Sequence, residues 1–367
     1  MPDIPSTIAV LQDALLRRFG DEVDLIFQYG SHLHGATHRF SDVDLSWVPV
    51  HDDTWGSITV MVDETLFDLY AMHWSHLERM ADFRDVSSSV LLHNRILYQR
   101  NDATAERFAA LADRLRAWQE PAARPDMVRR ALEIFQSSGY DYYLLCEQAE
   151  AGHTTGTLKS AQAILRTVLH CLAVANQACI DTRKLEQVLA LPRLPDGFAA
   201  TVARVTQAMA PHEVAAATEA LLHSTRALLL DEQRAHLAEP AAYPAAFHAA
   251  YPELKRDLQA VILGCERAEM IAVKGAVLSL MHEFSRMVAQ AESGFVAESF
   301  NSLADYTQNL AALGFPDLVA PMLAGDFGTL HDRCLAFDRR LRTYLAEHDV
   351  ALNDFATPDE LQRFLAA

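Results

Sequence analysis

The most constraining feature of this 367-residue chain is residues 29–46, which read Tyr-Gly-Ser-His-Leu-His-Gly-Ala-Thr-His-Arg-Phe-Ser-Asp-Val-Asp-Leu-Ser. Gly30 and Ser31 follow an apolar run, and Asp42 and Asp44 come next in an Asp-x-Asp pair. Because alternate residues of a strand share a face, the two carboxylates would aim at one point. Such a pair raises the pKa of both groups unless a cation lies between them, which predicts a site for Mg²⁺.

The turn at Gly30 and Ser31 predicts a phosphate-binding element. It offers backbone N–H groups and a hydroxyl to phosphate oxygens. Magnesium takes carboxylate oxygens together with substrate phosphates, so the two elements indicate phosphoryl or nucleotidyl transfer. Arg39 is predicted as a further phosphate contact. The loop histidines do not have metal-ligand spacing and are expected to line the phosphate entrance or face water; they are His32, His34 and His38.

The pattern of Gly-Ser, a spacer and Asp-x-Asp between apolar residues resembles the signature of the DNA-polymerase-β-like nucleotidyltransferase superfamily. The resemblance implies a third carboxylate on a later strand of the same sheet. Asp68 lies in a predicted strand between Phe67 and Leu69, where an acid is costly unless it is paired. It is therefore the predicted third ligand. Asp63 is a weaker alternative, since an aspartate in a turn usually serves the turn itself.

The resemblance implies a Mg²⁺-dependent nucleotidyltransferase with a two-metal site at Asp42, Asp44 and Asp68. The expected reaction moves a nucleoside monophosphate from an NTP, with ATP as the first expected donor, onto a hydroxyl of a small-molecule acceptor and releases pyrophosphate. Two alternatives remain open. One is a protein-directed nucleotidyltransferase of the AMPylating, toxin–antitoxin type, although those chains are usually shorter. The other is a catalytically silent nucleotide-binding module.

Charge and composition bear on partners and compartment. The net charge is −18, and the first hundred residues hold seven arginines, no lysine and fifteen acids. A protein that follows a polynucleotide usually offers a basic stripe, so no nucleic-acid partner is expected. Five cysteines without Cys-x-x-Cys spacing are typical of free thiols in a reducing compartment. The chain shows no signal-peptide pattern and no apolar run of membrane-spanning length, so we expect a soluble, cytoplasmic protein without a membrane partner.

The hydrophobic periodicity predicts an α+β fold, with an N-terminal nucleotidyltransferase (palm-like) mixed β-sheet domain followed by an all-α C-terminal region. The predicted domains are residues 1–102, a helical domain at 103–240 that closes the nucleotide and acceptor cleft, and a further helical region at 241–367, either separate from or continuous with the preceding domain. The predicted N-terminal elements are helices at 4–18 and 74–83 and strands at 23–28, 42–48, 58–62, 66–72 and 95–98. The predicted later helices are 103–119, 125–151, 157–177, 184–191, 198–209, 212–236, 254–291, 298–313 and 330–347.

The helical region carries a second resemblance. Residues 157–176 and 184–195 resemble the helical domain of kanamycin-nucleotidyltransferase-like proteins, which covers the nucleotide and supplies the acceptor pocket. The resemblance implies that Lys159, near the start of its helix, contacts the triphosphate, with a solvated lysine as the alternative. Glu147 is a tentative general base, against a surface glutamate that forms ion pairs. Asp141 and Glu150 compete for that role, and the sequence predicts no oligomeric state.

Overall fold

The structure is a computed structural model that describes residues 3–33, 37–294, 300–307 and 310–366. His34 therefore lies outside the described residues. The chain forms two compact units, Met1–Leu230 and Asp231–Ala367. The predicted three-part domain division stays a prediction.

The first unit begins with a five-stranded mixed sheet. Its strands are β1 (Val23–Tyr29), β2 (Val43–Pro49), β3 (Ser57–Val62), β4 (Thr65–Ala71) and β5 (Asn94–Gln99). Their order across the sheet is β3-β4-β2-β1-β5. The pair β2 and β4 is parallel, and the other neighbouring pairs are antiparallel. Asp63 and Glu64 have φ of 46° and 62°, which is the backbone that a two-residue hairpin between β3 and β4 requires.

One face of the sheet packs against the N-terminal helix α1 (Ile4–Phe19). Its apolar stripe, Ile8, Leu11 and Leu15, is buried, and Asp3 caps the helix by accepting a hydrogen bond from the backbone N–H of Ser6. The sheet contributes alternate residues of β2 to the same core, which are Val43, Leu45 and Trp47. Each such side chain stabilises the fold by roughly 1.5–3 kcal/mol on burial. The residues between them, including Asp44, therefore belong to the opposite face.

Two further helices belong to this part of the first unit. They are α2 (Trp74–Ala81) and α3 (Asp102–Ala117). The ring of Phe108 on α3 lies 5.5 Å from that of Phe27 on β1, centroid to centroid, so α3 packs on the face opposite to α1. Asn101 caps α3 by accepting a hydrogen bond from the backbone N–H of Thr104.

The rest of the first unit is helical. Its helices are α4 (Arg124–Gln136), α5 (Gly139–Glu150), α6 (Thr154–Ala175), α7 (Leu185–Leu189), α8 (Phe198–Gln207) and α9 (Pro211–Leu237), whose last residues belong to the second unit. The single helix predicted at residues 125–151 is two helices, because the chain turns at Ser137 and Ser138. The side chain of each serine bonds back to a preceding carbonyl, Ile134 O and Phe135 O respectively.

The second unit is helical in its described residues. It contains α10 (Tyr243–Ala246), α11 (Ala250–Glu266), α12 (Met270–Glu292), α13 (Leu303–Thr307), α14 (Val319–Ala324), α15 (Phe327–Glu347) and α16 (Pro358–Leu365). The helix predicted at residues 254–291 is split, because Ala268 has φ of 55° and ends α11. The backbone N–H groups of Ala268 and Glu269 bond to Cys265 O and Gly264 O, which is a Schellman termination. Part of the helix predicted at 298–313 falls outside the described residues.

The architecture confirms the predicted fold class, a mixed sheet followed by helices, because no described residue after β5 lies in a strand. None of the described helices combines the length and apolar composition needed to cross a lipid bilayer.

Candidate functional site

The register of the sheet aligns a row of polar residues across all five strands. Thr59 on β3 pairs with Asp68 on β4, which pairs with Asp44 on β2. Asp44 pairs in turn with Tyr29 on β1, and Tyr29 with Asn94 on β5. Directly opposite residues of neighbouring strands share a face. The row therefore places the carboxylates of Asp44 and Asp68 side by side on the face opposite to α1.

Gly30 brings the end of β1 against Asp44. Its φ of +85° is a conformation that side chains rarely adopt, and a Cβ there would overlap Asp44 Oδ2 and lie 3.1 Å from Asp44 Cγ. The glycine is therefore required twice, for its backbone angle and for the close approach of the carboxylate. Ser31 follows it and begins a 3₁₀ turn, Ser31–Leu33.

Asp44 is a partly buried carboxylate that lacks compensation. It accepts no hydrogen bond and makes no ion pair with the part of the chain that the structure describes. Burial, with the negative charges of Asp42 and Asp68, raises its pKa from 3.8 to about 6, and the positive charge of Arg183 opposes this. An ionised carboxylate in such surroundings is stabilised by any cation that binds beside it.

A cavity of about 550 Å³ opens beside this carboxylate, a volume within the range of small-molecule sites. Three parts of the first unit supply its lining. The sheet end and the loop before β2 contribute Tyr29, Gly30, Ser31, His38, Ser41, Asp42 and Asp44. The 3₁₀ helix Ser88–Leu91 and the residues after it contribute Ser89, Val90 and His93. The segment between α6 and α7 contributes Cys179, Ile180, Asp181, Arg183, Lys184 and Gln187.

The segment between α6 and α7 carries two cations, Arg183 and Lys184. The guanidinium of Arg183 donates to both oxygens of Asp181, Nε to Oδ1 at 2.9 Å and Nη2 to Oδ2 at 3.1 Å. The backbone N–H of Asp181 donates to Oε1 of Gln187, which closes the turn before α7. Lys184 forms no ion pair with any described residue. The cavity therefore has carboxylates on its sheet side, and two cations with the carboxylate of Asp181 on its helical side.

The anchor of this segment is the end of α6. Asn176 donates to Arg193 O and accepts from the backbone N–H of Arg193, at 2.8 and 3.0 Å. Gln177, in the left-handed region with φ of 53°, donates to Trp118 O and Glu120 O. These bonds fix where the chain leaves α6, and so where Arg183 and Lys184 lie.

The third wall is fixed by Asp85. Its carboxylate accepts a hydrogen bond from the backbone N–H of Ser87 at 2.8 Å and lies 3.0 Å from Nε2 of His76. The side-chain bond to His76, together with the bond from Ser87, lowers the pKa of Asp85 to about 2 against the opposing effect of burial. Asp85 is therefore ionised at neutral pH and holds the start of the 3₁₀ helix that carries Ser89 and Val90.

Tyr29 forms the floor of the cavity beside Asp44. Its hydroxyl lies 2.8 Å from the hydroxyl of Tyr70, two residues after Asp68 on β4. Burial, followed by the effects of Tyr70, raises the pKa of Tyr29, so the phenol stays protonated. Tyr29 thus offers a neutral hydroxyl group next to Asp44.

The residues present fit a hard divalent cation in kind and in charge. Asp42 and Asp44 line the cavity, and neither has a hydrogen bond or ion pair among the described residues. Within residues 3–33, 37–294, 300–307 and 310–366, no three carboxylate, imidazole or thiol side chains converge as a complete metal centre. The three-carboxylate site predicted at Asp42, Asp44 and Asp68 therefore stays a prediction.

The structure brings together most of the residues predicted for the sheet side. Gly30, Ser31, Asp42 and Asp44 line the cavity, and Asp68 neighbours Asp44 without lining it. Three other predicted residues are exposed and do not line this cavity, namely Arg39, Glu147 and Lys159. The guanidinium of Arg39 lies over the ring of Phe40 instead. Their predicted roles stay predictions.

The position of α6 accounts for the separation of Lys159 from the cavity. Lys159 lies near the start of this 22-residue helix, whereas the lining residues follow its end. At 1.5 Å per residue, the 16 steps along the helix from Lys159 to Ala175 span about 24 Å. The sequence signal that points to the cavity is the basic pair Arg183-Lys184 in a chain with four lysines. Sequence reasoning missed this pair.

Neither a protein-family model nor a curated protein matches this chain. A crystal structure of a nucleotidyltransferase-like protein from Exiguobacterium sibiricum 255-15 is similar to it with a TM-score of 0.35 and 12% sequence identity. That similarity covers 62% of this chain and 79% of the other. A likeness of this extent carries no functional argument, so the functional inference depends on the geometry of the site.

Proposed function

We propose that the protein is a Mg²⁺-dependent nucleotidyltransferase of the DNA-polymerase-β-like superfamily, with a kanamycin-nucleotidyltransferase-like layout. It transfers a nucleoside monophosphate from an NTP, with ATP as the first donor to test, onto a hydroxyl of a small molecule. The observation that carries the proposal is the unpaired carboxylate pair Asp42 and Asp44, held beside the Gly30-Ser31 turn at one side of a cavity. Arg183 and Lys184 lie on its helical side.

The charges suit a triphosphate chain. Ser31 supplies a hydroxyl and a backbone N–H at the turn where β1 ends, both of which are donors to phosphate oxygens. The guanidinium of Arg183 is 81% exposed and retains N–H groups beyond those that bond Asp181. A guanidinium at that position can form a bidentate pair of hydrogen bonds with phosphate oxygens. Lys184 adds a second positive charge.

The carboxylates repel a polyphosphate unless their charge is compensated. Asp42 and Asp44 would hold the divalent cation, with Asp68 next to them across the parallel pair of strands. Such a cation, when bound, neutralises phosphate oxygens and lowers the pKa of a hydroxyl beside it. The requirement for a cation explains why a partly buried carboxylate with a raised pKa persists at Asp44.

The protein has little covalent chemistry to perform in this reaction. The acceptor hydroxyl loses its proton to water or a base, its oxygen forms the new bond to the α-phosphorus, and the P–O bond to pyrophosphate breaks. The residues of the cavity hold the two reactants in line and balance charge, which are the main sources of catalysis in phosphoryl transfer. Glu147, the tentative general base, is exposed and outside the cavity, so its role needs its own test.

The test is thermal unfolding of wild type and Asp42→Asn with Mg²⁺ and each NTP, followed by transfer of α-labelled nucleotide to a panel of hydroxylated small molecules. At about 100 times its Kd, a nucleotide stabilises the native state by roughly 2.7 kcal/mol. We expect a Mg²⁺-dependent shift in wild type that Asp42→Asn loses. The matched control is Asp113→Asn, since Asp113 lies on the exposed side of α3 and outside the cavity.

The outcomes separate the competing functions. Label on a small acceptor supports the proposal, and label on an added protein favours the protein-directed alternative. A nucleotide shift without any transfer favours a catalytically silent module. If no NTP shifts the wild-type midpoint with Mg²⁺, the proposal is wrong.

A further inference from the structure

Thr59, on the edge strand β3, forms a hydrogen bond that has no role in the reaction proposed above. Its hydroxyl Oγ1 donates a hydrogen bond of 2.7 Å to Oδ1 of Asp68. The two residues are direct cross-strand partners. Oδ2 of Asp68 accepts no hydrogen bond from the described residues.

We propose that Thr59 is a positioning residue that holds Oδ1 of Asp68, so that the second oxygen is kept for the divalent cation beside Asp44. This inference rests on the proposed function, because that function places a divalent cation beside Asp68.

The geometry favours this role over a contact that serves only folding. Thr59 is exposed, so its hydroxyl has water as an alternative partner and gains little stability from an ordinary hydrogen bond. Asp68, in contrast, lies in the polar row between two strands, with the negative charge of Asp44 next to it. Two carboxylates that share a site repel each other, and a hydroxyl that donates to one oxygen restricts the orientation of that carboxylate.

Partners that hold a metal-binding carboxylate usually matter for affinity. Loss of such an outer contact lowers metal affinity by roughly 10- to 100-fold. Thr59 is exposed, so we expect the lower end, a loss of about 10-fold. The hydroxyl of serine can make the same bond, whereas the isosteric side chain of valine cannot.

The experiment measures binding of Mn²⁺ with a non-hydrolysable ATP analogue, by electron paramagnetic resonance, to Thr59→Val and Thr59→Ser. Valine preserves the β-branched shape that suits an edge strand. Thr65→Val is the matched control, since Thr65 lies on β4 and its hydroxyl bonds to none of the described residues. We expect weaker Mn²⁺ binding, by about 10-fold, in Thr59→Val only.

A double-mutant cycle with Asp68→Asn separates positioning from a structural effect. If Thr59 acts through Asp68, Thr59→Val causes no further loss of Mn²⁺ affinity in the Asp68→Asn background. Equal losses in both backgrounds would overturn the proposal, as would a Thr59→Val protein that binds like wild type. If wild type binds no Mn²⁺ in the presence of the nucleotide, the proposed function itself is wrong, and the role of Thr59 falls with it.

Discussion

The carboxylate of Asp44 packs directly against the α-carbon of Gly30, so each residue limits what the other position can hold. A side chain at Gly30 would be strained by its φ of +85° and would overlap Asp44 Oδ2. The turn that offers donors to a phosphate and the carboxylate that would hold the cation are thus one packed unit.

Gly30→Ala should therefore damage both stability and ligand binding. The left-handed backbone and the overlap together should cost about 2–4 kcal/mol in free energy of unfolding, measured with urea. The same variant should lose the Mg²⁺-dependent rise in thermal unfolding midpoint that NTP causes in wild type. Gly197→Ala is the control, because Gly197 has φ of +66° but open space around it, and should cost only about 1 kcal/mol. A Gly30→Ala protein with the wild-type nucleotide shift would contradict the packed unit.

Asp44→Asn should stabilise the protein in the absence of divalent cations. The pKa of Asp44 is raised from 3.8 to about 6, so the folded state retains a proton that the unfolded state has lost. Its contribution to stability therefore falls as pH rises from about 4 to 6, and the ionised group costs at most roughly 3 kcal/mol at pH 7, reduced by solvent screening of this partly exposed group.

Urea unfolding in a chelating buffer at pH 4.5 and 7.5 measures this effect. The advantage of Asp44→Asn should be present at the higher pH and small at the lower one, while Asp113→Asn should show neither. Added Mg²⁺ and NTP should then stabilise wild type and not the variant. An Asp44→Asn protein less stable than wild type at pH 7.5 would mean that Asp44 has a partner in solution.

The sheet side of the site could be predicted because its information is local. Alternation in β2 separates Val43, Leu45 and Trp47 from Asp44, so one strand shows which face is core and which carries the acid. The prediction of Asp68 rested on the family resemblance and on its place as an acid between apolar residues of a predicted strand. The register between β2 and β4 sets Asp68 opposite Asp44.

The helical side could not be predicted because no local pattern identifies it. Arg183 and Lys184 belong to a short turn that reaches the cavity only through the anchors at Asn176 and Gln177. Those anchors depend on contacts with residues 17 and up to 59 positions away. Helix breaks were missed for a similar reason, since Ala268 favours a helix by propensity and ends one through its tertiary surroundings.

Arg183→Gln should weaken nucleotide binding with little change in stability. The Arg183 side chain is 81% exposed, so losing its ion pair with Asp181 should cost no more than about 1 kcal/mol of folding free energy. The loss of a cation that contacts phosphate should raise the Kd of the Mg²⁺–ATP complex by about 10-fold, or 1.4 kcal/mol, by titration calorimetry. Arg166→Gln, an exposed arginine of α6 outside the cavity, should bind as wild type does. Unchanged affinity in Arg183→Gln would remove the guanidinium from the phosphate site.

Asp85 links acid stability to the third wall of the cavity. Its pKa is lowered from 3.8 to about 2 by His76 and the backbone N–H of Ser87, so the folded state holds the ionised form. This stability is complete above about pH 4 and is lost as pH falls toward 2, with a total of roughly 2 kcal/mol. Asp85→Asn should remove it at neutral pH, and the difference from wild type should shrink below pH 4.

The measurement is the free energy of unfolding from pH 7 to pH 2. His76→Leu should reproduce part of the Asp85→Asn effect, because leucine has no group that can donate a hydrogen bond to the carboxylate. Asp85 holds the start of the 3₁₀ helix Ser88–Leu91. At pH 7, Asp85→Asn should therefore also reduce the rise in unfolding midpoint that Mg²⁺ and NTP cause, although Asp42 and Asp44 are still present. If wild type and Asp85→Asn lose stability in parallel between pH 4 and pH 2, the carboxylate of Asp85 is not held as the structure places it.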